Sequence, residues 1–95
     1  MLSNFNLEAK LALITGSGRG IGKSLSLALA KAGCDIILTA RSKKELEKVK
    51  SKILLHDREC HSFILDIQNV EEIKNFFTKL NKLTLYPDIL VNNAG

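Results

Sequence analysis

The stretch Leu13 to Ser24, LITGSGRGIGKS, decides how this 95-residue chain is read. Its last three residues, Gly22-Lys23-Ser24, match the close of a P-loop, which binds nucleoside triphosphates. A P-loop also needs a glycine five residues before Gly22, so that backbone N–H groups can wrap the phosphates, and that position is Ser17. The dinucleotide fingerprint GxGxxG fails too, because Gly16 and Gly18 are followed by Ile21. The pattern that fits is TGxxxGxG: Thr15-Gly16, then Gly20, Ile21 and Gly22. Its physics is that of a dinucleotide turn. Gly16 permits a tight exit from a strand, Gly20 lets backbone approach a pyrophosphate at a helix N-terminus, and Gly22 brings helix and sheet close. Lys23 and Ser24 then belong to the first helical turn and need no phosphate role.

The flanking sequence supplies that strand and helix. Lys10–Thr15 is a short apolar run ending in glycines, hence a buried strand. Apolar residues at 21, 25, 28, 29 and 32 mark one face of a helix, which Gly33 ends. Asp35–Ala40 reads as a second strand. Ser42-Lys-Lys-Glu45 is a capping box, in which the serine hydroxyl takes one orphan N–H and the glutamate reaches back to another. Its helix carries Leu46, Val49 and Ile53 at helical spacing. Ser62–Asp66 reads as a third strand. Asn69 to Glu72 caps a third helix, with Val70, Ile73, Phe76 or Phe77, Leu80 and Leu83 inward. After a turn at Tyr86-Pro87-Asp88, Ile89–Val91 is a fourth strand, followed by Asn92-Asn93-Ala94-Gly95.

The order is βαβαβαβ, an α/β chain. Strands alternating with helices imply a parallel sheet with right-handed crossovers and helices on both faces. Ligands of such sheets bind at the carboxyl ends of the strands. The unusual residues gather there: the glycines, Arg41, Asp66 and the asparagine pair.

Composition narrows the class. Hydrophobic content of 45% and charged content of 25% are ordinary for one small soluble domain. The net charge of +4 owes much to lysines between Lys43 and Lys52, read as a solvated helix face. Nucleic-acid binding is not expected, since aromatics and a clustered arginine stripe are missing. Cys34 and Cys60 lie outside any CxxC, which fits a reducing, cytoplasmic setting. His56, Cys60 and His61 offer too few ligands for a metal site. No signal peptide and no apolar run long enough to span a membrane are read.

Taken together, ITGSGRGIG and DILVNNAG resemble the short-chain dehydrogenase/reductase family, over essentially the whole chain. The resemblance implies the N-terminal half, residues 1–95, of a Rossmann-type doubly wound sheet, cut to about four strands in the order 3-2-1-4. It implies a nicotinamide dinucleotide cofactor. Gly16, Ser17, Gly18, Arg19, Gly20 and Ile21 would line the pyrophosphate and adenosine side, with Gly22 completing the turn. Asp66 and Ile67 would flank the adenine, and Asn93, Ala94 and Gly95 would pass beneath the adenosine ribose. Asn92 would contact the cofactor or tie strands together. An NAD site places a carboxylate at the end of strand two, to hold the ribose 2′-hydroxyl. Here that position is Arg41, with Ser42 beside it and Arg19 a second cation on the same side. Guanidinium groups suit a 2′-phosphate, so NADP(H) is expected over NAD(H).

The family's chemistry needs a serine, a tyrosine general acid/base and a lysine four residues after it. Tyr86 is followed four residues on by Leu90 and sits in a turn, so no residue here is assigned as catalytic and the chain is expected to be inactive alone. The parent activity would be carbonyl reduction or alcohol oxidation. The opening FNLEAKLALITGSGRGIG is similar to members acting on 3-oxoacyl thioesters and on sugar acids. Strand four would expose an apolar edge, which implies a homo-oligomer or a complementing C-terminal half. The other readings are a non-catalytic nucleotide-binding or interaction module and, on SFILD as an acidic metal-holding strand, a P-loop NTPase.

Overall fold

The computed structural model describes residues 7–93. The elements run β1 (Leu11–Thr15), α1 (Gly20–Lys31), β2 (Asp35–Ala40), α2 (Lys43–Leu54), β3 (Cys60–Ile64), α3 (Val70–Lys82) and β4 (Ile89–Asn92). The sheet order is β3-β2-β1-β4 and every pair is parallel. The parallel α/β class is the one expected from the alternation of strands and helices, and the strand order is the one implied by the family resemblance.

Side chains of successive strand residues point to opposite faces. Ala12, Ile14, Ile36 and Leu38 therefore meet α1 and α2, where Leu46, Val49 and Ile53 are fully or almost fully buried. Leu13 and Ile37 meet α3 through Phe76 and Leu80. Phe63 closes that side, its ring edge-on to Phe76 with centroids 5.3 Å apart. Burial on both faces explains why β1 and β2 read as continuous apolar runs.

Three departures from the sequence reading have physical causes. β3 begins at Cys60 rather than Ser62 and stops at Ile64, because its register is set by β2, from Ile36↔Cys60 to Ala40↔Ile64. An edge strand tolerates polar residues, and His61 hid its start. Asp66 thus lies beyond the strand, in the loop that follows. In α3, Val70 and Leu83 are exposed rather than inward, while Phe76 is the phenylalanine that turns in, as one of the two was expected to.

The third departure is in α1. The face at 21, 25, 28 and 32 is exposed, while Gly22, Ser26 and Ala30 are buried. The helix approaches the sheet too closely for large side chains there. A Cβ on Gly22 would stand 2.2 Å from the Gly16 carbonyl oxygen and 2.7 Å from Asn93 Nδ2. One turn on, the buried Ser26 hydroxyl donates to the Gly22 carbonyl at 2.7 Å. The end of α1 follows the expectation. Gly33 adopts φ +106°, and the Gly33 and Cys34 N–H groups donate to the Ala30 and Leu29 carbonyls.

Cys34 and Cys60 are both buried and free. Burial pushes the Cys60 thiol up to about 11, against the opposing pull of the Lys50 ammonium. Among the described residues, no helix is long and apolar enough to cross a membrane.

Gly22→Ala should cost about 3 kcal/mol of stability, because the contacting atom is backbone and cannot turn aside; urea denaturation measures this. Cys60 gives a pH signature. In the unfolded chain the thiol ionises near ~8.5, so that state loses its proton first as pH rises. Stability should therefore be intact below about pH 8.5 and decline toward about 11. Urea midpoints of wild type and Cys60→Val across this range should diverge, with the decline smaller in the variant.

Candidate functional site

At the carboxyl ends of the strands opens a cleft of about 690 Å³. The turn between β1 and α1 contributes Gly16, Gly18 and Arg19 to its wall. The start of α2 contributes Arg41, Ser42 and Glu45, the loop after β3 contributes Leu65 to Gln68, and Asn93 closes the far side.

Each wall is held by identifiable bonds. The Asn93 N–H donates to Thr15 Oγ1 at 3.0 Å, and its Nδ2 donates to the Gly16 carbonyl at 3.3 Å. The Thr15 hydroxyl in turn donates to Asn92 Oδ1 at 3.1 Å, so Asn92 ties β4 to β1. Ser17 is fully buried behind the loop. Its N–H and hydroxyl both donate to the Thr39 carbonyl, and its oxygen accepts from the Thr39 N–H. Ser17 thus extends the β1–β2 pairing instead of lining the cleft. On the third wall, Asp66 Oδ1 accepts from the Gln68 N–H, and the Asp66 N–H donates to Glu72.

The helix N-termini differ. α2 is capped by Ser42, whose oxygen accepts from the Glu45 N–H, and α3 by Asn69, whose oxygen accepts from the Glu72 N–H. Both have acidic residues in the first turn. α1 has neither a side-chain cap nor a first-turn acid. Gly20, at φ +61°, has open space where a Cβ would stand. Arg19 and Arg41 are exposed and, among the described residues, neither is held in an ion pair. An uncapped helix start beside two available guanidinium groups forms an anion-receptive corner.

The sequence-predicted residues divide accordingly. Gly16, Gly18, Arg19, Arg41, Ser42, Asp66, Ile67 and Asn93 come together on the cleft. Ser17 and Gly22 are buried in its support, while Gly20 and the largely exposed Ile21 start α1. Ala94 and Gly95 lie outside the described residues. Glu45, Leu65 and Gln68 were not foreseen as lining. Of the capping box expected at Ser42–Glu45, only the half made by the serine forms: among the described residues no hydrogen bond or ion pair holds the Glu45 carboxylate. Lys23, the lysine of a P-loop reading, is not on the cleft. Its ammonium is held below its ordinary pKa by Lys52 of α2. A second groove of about 500 Å³ runs along β3 between α2 and α3, away from the glycine turn.

Comparison with known proteins agrees with this geometry. The family described as short chain dehydrogenase matches residues 10–95. The chain is 42% identical over 91 residues to 2-dehydro-3-deoxy-D-gluconate 5-dehydrogenase of Bacillus subtilis, covering 96% of this chain and 35% of that protein. It is 33% identical over 90 residues to 3-oxoacyl-[acyl-carrier-protein] reductase FabG of Pseudomonas aeruginosa, covering 95% and 36%. Among solved structures, the Pseudomonas aeruginosa RhlG/NADP active-site complex superposes with a TM-score of 0.88 at 29% identity, covering all of this chain and 38% of that one. NAD⁺-bound xylitol dehydrogenase also gives 0.88 at 29% identity, covering 94% and 34%. The chain spans about a third of the length of these proteins. A glycine turn joining β1 to an uncapped α1, a cleft across the strand ends and a family match over nearly every residue identify this chain as a member of the short-chain dehydrogenase/reductase family.

Proposed function

We propose that the chain is the nucleotide-binding part of an NADP(H)-dependent oxidoreductase acting on a carbonyl/alcohol pair. The observation that carries this reading is the anion-receptive corner of the cleft. The start of α1 lacks a cap, Gly20 leaves its backbone open, and Arg19 and Arg41 bring two cations to one rim. The donor set fits a dinucleotide bearing an extra phosphate. The helix start would take the pyrophosphate, Arg41 and Arg19 the 2′-phosphate, and Asp66 and Ile67 the adenine. Bound there, the nicotinamide would supply hydride transfer. Ser42 retains a hydroxyl proton to donate, because its cap uses only the oxygen.

The substrate class follows from likeness alone. The relatives include a sugar-acid dehydrogenase and a 3-oxoacyl reductase, which makes both classes candidates for the whole enzyme. The buried, unpaired cysteines support a reducing compartment, the cytoplasm.

A specific observation favours a second element of the proposal, association through β4. Among the described residues this strand pairs only with β1, and Leu90, on the α3 side of the sheet, is 63% exposed. An apolar, open edge recruits another strand. The proposed partner is a strand from a second copy, and the non-catalytic interaction module is the same surface without the chemistry.

Two measurements test these statements. NADPH fluorescence titration should give micromolar binding that ATP does not displace. Arg41→Ala should weaken NADPH about tenfold and NADH less than about twofold, since only the former has a phosphate for the guanidinium to hold. Equal losses for both dinucleotides would sink the assignment of Arg41. Sedimentation velocity over a concentration series should show self-association that Leu90→Lys removes; a monomer throughout counts against pairing between copies.

A further inference from the structure

Glu45 is the least explained group on the cleft. Glutamate at this position of a capping box normally turns back onto the N-cap N–H. Here the side chain leans across the glycine turn instead. A Cβ on Gly18 would stand 2.9 Å from Glu45 Oε1 and 3.0 Å from Glu45 Cβ. The missing side chain at 18 is what makes room for it. The half-buried carboxylate faces the same cleft as Arg19, Arg41 and Ser42. Asp66, a carboxylate on another wall of the cleft, accepts the Gln68 N–H through Oδ1.

We propose that Glu45 is a specificity-determining residue that narrows the cleft's preference for a 2′-phosphorylated adenosine over one with a free 2′-hydroxyl. The inference rests on the reading of the cleft as a dinucleotide site. Carboxylate oxygens are acceptors only. A free 2′-hydroxyl donates to them, whereas a 2′-phosphate brings like charge against them. The two arginines favour the phosphate, and Glu45, which lines the same cleft, offsets part of that advantage. The absence of an acid at the end of β2 is thus only half of the selection. An acid in the first turn of α2 reaches the cleft over Gly18.

The test titrates the chain and its variants calorimetrically with 2′,5′-ADP and 5′-AMP, with NADPH binding followed in parallel by fluorescence. Glu45→Gln keeps the shape and the capping preference while removing the charge. It should tighten 2′,5′-ADP about fivefold, the scale of one like charge removed from a partly solvated site. It should weaken 5′-AMP by about twofold. Glu45→Asp keeps the charge and should retain most of the wild-type ratio. Glu47→Gln, on the same helix but outside this cleft, controls for net charge and should shift both ligands less than about twofold. Circular dichroism verifies that each variant is folded. An unchanged ratio in Glu45→Gln, or an equal change in Glu47→Gln, overturns the role of Glu45 while NADPH binding leaves the site intact. No binding of NADPH or of either nucleotide by the wild-type chain overturns the dinucleotide reading, and Glu45's role with it.

Discussion

The structure depends on one close approach: the Gly16 carbonyl oxygen occupies the place where any side chain at position 22 would begin. That carbonyl is the hinge between β1 and the loop leading to α1. It is fixed from the other side by the Asn93 amide, which reaches over from the end of β4. Helix, central strand and neighbouring strand therefore meet at one backbone atom. The inward face of α1 is narrow in consequence, built of Gly22, Ser26 and Ala30. Just ahead of α1, the residue at its N-cap, Arg19, stands on the wall of the cleft.

Much of this was legible in the sequence because it is local. Strands β1 and β2 are buried on both faces and advertise themselves as apolar runs. The caps at Ser42 and Asn69 are short-range chemistry and formed where serine and asparagine stood. The glycine spacing located the loop, and the ends of the other strands located the rest of the cleft wall.

What was illegible was set by tertiary distance. Hydrophobic periodicity assumes that the larger apolar residues face inward. In α1 the sheet is too near for that rule, so Ile21 and Leu25 face outward and small residues face in. β3 was displaced by two residues because an edge strand takes its limits from its neighbour's register rather than from its own hydrophobicity. Ser17 and Glu45 exchanged expected roles for the same reason. Ser17 belonged by position to the ligand loop, yet its polar atoms are engaged by Thr39 of β2. Glu45 belonged by motif to a helix cap, yet the space over Gly18 draws its carboxylate toward the cleft.

The bonds of Ser17 have a thermodynamic consequence. They splice the first residues of the glycine loop to β2 from behind, leaving the front of the loop open. The conformational entropy of that segment is thus surrendered when the chain folds, in the same step that completes the sheet. A ligand entering the cleft would meet a wall already ordered, so little of its binding energy would be diverted into ordering the loop. Ser17, buried behind the wall, would then contribute to any affinity of the cleft through the order it imposes on the loop.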